Sequence, residues 1–167
     1  MYAVFPVMLA LLVVIAPASS DAFAAGLTSP APNGLTIPKG YKKWKLVSVS
    51  HRKDNESLRA ILGNAVAHRA IRNGGTWNWP KGTVLAKLVW KDRQHPQWPD
   101  AIIPGEQSHI EFMFKDPRKF GSTGGWGYAR WLGQKLEPYP DNGSECFACH
   151  TRVKDNDYVF TRPAPLP

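Results

Sequence analysis

The chain alternates apolar and polar residues over several short stretches, which is the pattern of half-buried β-strands. Strands are predicted over residues 44–50, 83–91, 108–115 and 126–132. Residues 58–62 form a short apolar run that fits either a further strand or the start of a longer helix. Turn-forming residues separate these stretches, so the strands are expected to pair as an antiparallel sheet.

The strand predicted at residues 83–91 is apolar at the centre of both its faces, so it is expected to be covered on both sides. Lys87 interrupts one of these faces. Since an unpaired buried ammonium is costly, Lys87 is expected to have a partner or a special role. The plainer alternative is a lysine whose stem lies along apolar neighbours while its amine reaches water.

Two short helices complete the predicted elements. Asn64 is a good N-cap for a helix over residues 65–73, and Ser144 can cap a second helix over residues 145–154. Strands nevertheless outnumber helices. The predicted fold class is therefore α+β, mainly an antiparallel β-sheet with a few short helices.

Three segments are predicted to lack regular structure. Residues 91–105 form a long loop rich in Pro and Trp. Residues 25–37 are rich in Ala, Ser, Pro, Gly and Thr and are expected to form a flexible leader. The Pro-rich residues 164–167 form a tail, which leaves residues 38–163 as one domain.

The first residues carry the features of an export signal. An apolar run at residues 7–16 is followed by Pro17 and by the small-residue site Ala22-Phe23-Ala24. The run is shorter than the roughly 18 apolar residues that indicate a membrane span. Residues 1–24 are therefore predicted to be a signal peptide, cleaved near Ala24, of a periplasmic protein. The alternative is an uncleaved N-terminal anchor.

The chain has a formal net charge of +8 at pH 7. Cleavage after Ala24 would remove one acid, Asp21, and no Lys or Arg, which raises the net charge to +9. A basic surface favours acidic partners or anionic surfaces. Nucleic acid is not expected as the partner of an exported protein whose basic residues are scattered.

The two cysteines of the chain lie in Cys146-Phe147-Ala148-Cys149-His150. C-x-x-C-H is the sequence that attaches a c-type haem: each thiol forms a thioether with a haem vinyl group, and the histidine becomes the proximal iron ligand. A thioredoxin-like dithiol would need a βαβ setting, and a structural zinc site would need four ligands. One covalent haem c is therefore the predicted cofactor, in agreement with export.

Several short motifs, in their order along the chain, resemble the cytochrome P-460 family, which includes the β-sheet cytochromes c′ (cytochrome c′-beta). The similarity covers most of the chain after the predicted signal. The motifs are Gly40-Tyr41-x-x-Trp44, Pro80-Lys81-Gly82-Thr83, Glu111-Phe112-Met113-Phe114-Lys115-Asp116, the C-x-x-C-H sequence and Asp157-Tyr158-Val159-Phe160-Thr161-Arg162.

The resemblance implies an antiparallel sheet, usually in a homodimer, with one haem c, His150 as proximal ligand and an open distal side. It implies that Lys87 lies beside the haem, where cytochromes P-460 cross-link a lysine to the haem edge and cytochromes c′-beta do not. It further implies that Glu111 is a distal carboxylate, whose pKa an apolar pocket would raise. Arg59 would hydrogen-bond an iron ligand or a haem propionate.

Plainer alternatives remain for the distal residues. Glu111 could be a solvent-facing strand residue, and Arg59 could form a surface ion pair. The family often places a capping phenylalanine near this arginine, but residues 55–58 contain none. Either Tyr128 or Ala129 falls where another distal wall residue would lie.

Three functions follow from an exported haem c protein of this kind. The first is oxidation of hydroxylamine or a related small nitrogen compound, with electrons passed to a soluble acceptor cytochrome. The second is binding of nitric oxide without turnover. The third is plain electron transfer, which needs a stable sixth protein ligand, and for that role the sequence offers no good candidate. Whether the protein is an enzyme stays open at this point.

Overall fold

The structure is a computed structural model that describes Met1, residues 28–75 and residues 78–165. Apart from Met1, the predicted signal peptide over residues 1–24 lies outside the described residues. Within the described residues, no helix is long and apolar enough to cross a membrane.

Six strands form one antiparallel sheet in which each strand pairs with its neighbours in sequence. This architecture confirms the predicted α+β fold, and residues 58–62 belong to a strand. The strands are β1 (Lys45–Arg52), β2 (Ser57–Gly63), β3 (Val84–His95), β4 (Trp98–Lys115), β5 (Trp126–Leu132) and β6 (Glu137–Pro138).

Apolar side chains cover both faces of this sheet, as the apolar faces of the β3 sequence predicted. One face, called the inner face, contributes the buried side chains of Val47, Ile61, Leu85 and Tyr128. The other, called the outer face, contributes Ala86, Ile110, Phe112, Ala129 and Trp131. Alternation along each strand therefore sends successive side chains into two separate cores.

The first helix, α1 (Ala65–Arg72), packs on the inner face and begins at the predicted cap. The Asn64 side chain accepts a hydrogen bond from Ala67 N at 3.0 Å. The close turn from β2 into α1 needs Gly63, because a Cβ there would come within 2.9 Å of Ala67 Cβ.

The second helix, α2 (Ser144–His150), is shorter than predicted, and Gly143 rather than Ser144 caps it. Gly143 has a φ of 98°, in the left-handed region that glycine adopts at little cost. The Ser144 hydroxyl instead donates to Asp141 Oδ1 at 2.7 Å. Short 3-10 segments lie at Tyr41–Lys43, Gly121–Thr123 and, directly after α2, Thr151–Asn156, the last of which is kinked at Val153.

Strands β3 and β4 continue past the rest of the sheet as a two-stranded ribbon, so the loop predicted over residues 91–105 is wrong. The register of β2 with β3 ends at Lys91, and that of β4 with β5 begins at His109. An exposed ribbon has no buried face, and hence no clear apolar alternation to recognise. Pro99 and Pro104 are tolerated because this part of β4 does not lie inside the sheet.

Residues 28–37 pack against the outer face, although they fall in the predicted flexible leader. Ala31 and Leu35 are buried in the outer core, and Trp131 Nε1 donates to Ser29 O at 2.9 Å. Composition alone does not show that these two apolar side chains pack in the same cluster as Trp131.

The C-terminal segment, residues 157–165, returns along the inner face. Val159 is buried in the inner core, and Ala164 N donates to Val47 O of β1 at 2.8 Å. The first residue of the predicted tail is therefore attached to the sheet.

Candidate functional site

A cavity of about 750 Å³ lies between the inner face and the C-terminal part of the chain. This volume is typical of sites for cofactors and small molecules. The sheet lines it with Arg59, Ile61, Lys87, Glu111, Met113 and Tyr128. The C-terminal part lines it with Cys146, Cys149, His150, Arg152, Phe160 and Arg162. All six predicted site residues are thus brought to one cavity.

A row of charged side chains crosses three strands on the sheet wall of this cavity. Lys87 of β3 lies opposite Glu111 of β4, which lies opposite Arg130 of β5. Lys87 Nζ forms an ion pair with Glu111 Oε2, and Arg130 Nε donates to Oε1 at 2.9 Å. His109 Nε2 lies 3.4 Å from the same Oε1. The expected partner of Lys87 is therefore Glu111.

Arg130 was not among the site residues predicted from the sequence, although its side chain holds Glu111 in place. Side chains alternate between the faces of a strand, so Arg130 lies on the same face of β5 as Tyr128, the inner face. This alternation does not show which β4 side chain Arg130 contacts. Its guanidinium lies over the Tyr139 ring at 4.7 Å, and Nη2 lies 4.0 Å from Cys146 Sγ. Arg130 thus connects the carboxylate with the helix that carries the cysteines.

The electrostatics of Glu111 differ from the prediction of a raised pKa. Burial by itself would raise the pKa of this carboxyl, whose side chain is 14% exposed. The hydrogen bond from His109 and the charges of Lys87 and Arg130 together outweigh burial, so the pKa lies below the usual range of a glutamate. The prediction is wrong because the wall around Glu111 is cationic rather than apolar.

Replacing Glu111 by glutamine should lower the free energy of unfolding at neutral pH by about 2 kcal/mol, because it leaves the half-buried cations Lys87 and Arg130 without their carboxylate partner. The folded pKa lies below the unfolded one, so this stabilisation is present above the unfolded pKa of about 4.3 and is lost as the pH falls toward the folded pKa. Urea titrations of parent and variant from about pH 7 to about pH 2 should converge. A gap that stays constant would contradict the charge-based explanation.

Arg59 faces the cavity from β2. Its Nε is buried without a hydrogen-bond partner among the described residues. Burial and the charge of Arg52 lower the pKa of Arg59, while the charge of Glu111 opposes that change. A partly desolvated guanidinium of this kind can donate to a ligand inside the cavity, which the alternative of a surface ion pair does not provide.

The two cysteines lie on α2 and line the same cavity. Both are free thiols, with Cys146 half-buried and Cys149 exposed. Burial, assisted by the charge of Glu111, raises the pKa of Cys146 to about 11. Two thiols that open on one cavity meet the geometric requirement for attachment to a single group.

The His150 ring is held with one nitrogen available to the cavity. Its Nδ1 lies 2.6 Å from Tyr158 O, and a carbonyl can only accept, so Nδ1 carries the proton and donates. Burial and the charge of Lys87 lower the pKa of His150. The ring lies 5.1 Å from each of the Tyr128 and Phe160 rings. The result is a neutral, oriented imidazole with a lone pair on Nε2, the usual state of a metal ligand.

These residues fit a haem c. Two thiols and an oriented imidazole lie on one side of the cavity, and cations with a carboxylate lie on its sheet wall. The Tyr128 hydroxyl and Arg59 Nε are buried polar atoms without partners among the described residues, which a bound group can satisfy. Of the two wall candidates, Tyr128 belongs to the inner core beside His150, whereas Ala129 belongs to the outer core.

The family that the chain resembles agrees with a haem c at this site. A profile of the family described as cytochrome P-460 matches residues 38–161, about three quarters of the chain. The matched range contains all six strands, both helices and the predicted site residues. No curated protein matches the chain.

Proposed function

The chain belongs to the cytochrome P-460 family, and from that premise we propose that it is an exported mono-haem c-type cytochrome that oxidises hydroxylamine or a related small nitrogen compound at an open haem iron. Membership of the family implies haem c binding. We propose in addition the substrate, the number of haems as one, and the export of the protein.

The C-terminal side of the cavity would hold the cofactor. Cys146 and Cys149 would carry its two thioether bonds, and His150 Nε2 would be its axial ligand. When bound, the haem supplies an iron that takes a small nitrogen ligand and accepts its electrons. The hydrogen bond from His150 to Tyr158 O fixes the imidazole orientation for this task.

The observation that carries the proposal is the Glu111 carboxylate on the cavity wall, next to Lys87. Oxidation of hydroxylamine releases protons together with electrons, so a base near the reacting nitrogen promotes it. Glu111 is ionised, so it can accept such a proton, and a Lys87 amine linked to haem would no longer weaken this carboxylate as a base through its positive charge. Arg59 can donate hydrogen bonds to the oxygen of the same substrate.

The partners proposed are a small nitrogen compound and a soluble acceptor cytochrome, with the protein as a periplasmic homodimer. The formal net charge of +9 after removal of residues 1–24 supports an acceptor with an acidic surface, because opposite charges speed encounter. No nucleic-acid partner is proposed.

The alternative is a nitric oxide-binding protein like cytochrome c′-beta. The ion pair between Lys87 and Glu111 favours it, because an ammonium in such a pair lacks the lone pair that a cross-link to haem needs. Under this alternative, Lys87 positions Glu111 and leaves the haem edge unmodified.

The haem-loaded protein should oxidise hydroxylamine with a dye as acceptor, show a strongly red-shifted ferrous Soret band, and yield a Lys87 peptide with an additional link to haem. Lys87→Met should lose the red shift, because the cross-link needs the amine. Lys91→Met, which changes an exposed lysine farther along β3, should keep it. A parent protein without turnover, without the shift and without the linked peptide would reject oxidation in favour of nitric oxide binding.

A further inference from the structure

The chain makes an uncommon turn just after the 3-10 helix that follows α2. Asp157 and Tyr158 have φ angles of 47° and 61°. Both angles lie in the left-handed region, which residues other than glycine seldom adopt. Two such residues in succession persist only when the surrounding structure holds them. The same turn delivers the Tyr158 carbonyl to Nδ1 of His150.

The Asp157 carboxylate is held from two distant parts of the chain. Lys115 Nζ, at the end of β4, lies 2.5 Å from Oδ1. Trp79 N donates to Oδ2 at 2.7 Å. In addition, Trp126 Nε1 donates to the main-chain O of Asp157 at 2.8 Å. The side chains of Lys115 and Asp157 are only 6% and 10% exposed, so water competes little with these bonds.

Lys115 also secures the other side of the turn. Its Nζ donates to Gly124 O at 3.2 Å and lies 5.0 Å from the centroid of the Trp126 ring. Gly124 is in close contact with Tyr158: a Cβ at Gly124 would lie 2.1 Å from a Tyr158 ring carbon. One ammonium therefore fixes both the residue before Tyr158 and the backbone against which the Tyr158 ring packs.

We propose that Lys115 and Asp157 are positioning residues for His150: their buried ion pair holds the Tyr158 carbonyl where it accepts the hydrogen bond from Nδ1. A hydrogen bond at Nδ1 orients a ligating imidazole and raises its basicity, and ligand basicity is one of the levers that set the potential of a haem iron. The inference rests on the proposed role of His150 as axial ligand, and it does not depend on the substrate.

Stability alone does not account for an ion pair at this place. Buried ion pairs contribute little net stability, because desolvation of the two charges offsets their attraction, and apolar pairs of similar size often serve better. An ion pair with several hydrogen bonds does, however, define one geometry. The left-handed turn needs one fixed geometry, because it must hold the Tyr158 carbonyl at hydrogen-bond distance from His150.

The test uses the haem-loaded protein with Asp157→Asn and with the double variant Lys115→Met/Asp157→Asn. Asparagine tolerates positive φ, and the double variant leaves no buried charge unpaired, so at least one folded variant is expected. The matched control is Lys81→Met, which removes a lysine from the exposed pair with Asp116. The readouts are the iron–histidine stretching band of the ferrous protein in resonance Raman spectra and the midpoint reduction potential.

Loosening the turn should weaken the bond at Nδ1, so the iron–histidine band should move to lower frequency and the potential to more positive values. Lys81→Met should leave both unchanged. A folded variant with the parental band and potential overturns the inference, even where hydroxylamine is oxidised normally. A parent protein without an iron–histidine band overturns it together with the axial role of His150. Absence of hydroxylamine turnover, by contrast, rejects only the proposed substrate.

Discussion

Glutamine in place of Glu111 is expected to lower the rate of hydroxylamine oxidation at saturating substrate by about 100-fold or more, the usual contribution of a positioned general base. The amide keeps the shape of the carboxylate and can still contact Arg130, but it cannot accept a proton from the substrate. The loss should appear in kcat rather than in KM, because proton transfer belongs to the transition state. Steady-state assays with a dye acceptor measure it.

The matched control for this prediction is Glu106→Gln. Glu106 lies on the same strand as Glu111 but is exposed, in the ribbon beyond the cavity. Both variants are compared at a temperature at which each is folded by circular dichroism. Equal activity of Glu111→Gln and the parent would remove Glu111 from the mechanism and leave it the structural role of pairing with Lys87 and Arg130.

Serine in place of both Cys146 and Cys149 is expected to abolish covalent haem attachment. A thioether needs a sulfur, and the described part of the chain offers no cysteine besides these two. Haem staining after denaturing electrophoresis, with intact-mass measurement, should change from one haem per chain to none. Haem that the folded variant binds through His150 alone should be released on denaturation.

The control for the cysteine variant is Ser144→Ala, at the start of the same helix. The Ser144 hydroxyl contacts Asp141 and does not line the cavity, so haem staining should match that of the parent. Staining that survives in the double serine variant would show that a side chain such as Lys87 attaches the haem by itself.

Sequence periodicity assigned Lys87 and Glu111 each to one face of its own strand, and the resemblance to the cytochrome P-460 family was needed to expect both beside one haem. Alternation gives the face on which a side chain lies, and both residues sit on clearly alternating strands. It does not give the register between strands, which alone decides that Glu111 meets both Lys87 and Arg130. The direction of the pKa change of Glu111 depends on those contacts, and for that reason the predicted direction was wrong.

The exposed ribbon and the leader show a different limit of the sequence. Strand signals depend on a buried face, and the residues of β4 around Trp98 and Ile102 remain exposed. In the leader, by contrast, two residues are buried without any periodic pattern. Ala31 and Leu35 are isolated buried positions, so alternation along the chain does not reveal them. Isolated contacts of this kind depend on the shape of the surface that receives them, here the outer face near Trp131.

The position of the cysteines after the last strand has a consequence for biosynthesis. A polypeptide is made from its N-terminus, so all six strands are synthesised before Cys146. Each strand pairs with its sequence neighbours, and local contacts of this type form fastest. The thiols are therefore synthesised after all six strands of the described sheet, so they can join a sheet whose strands are already complete.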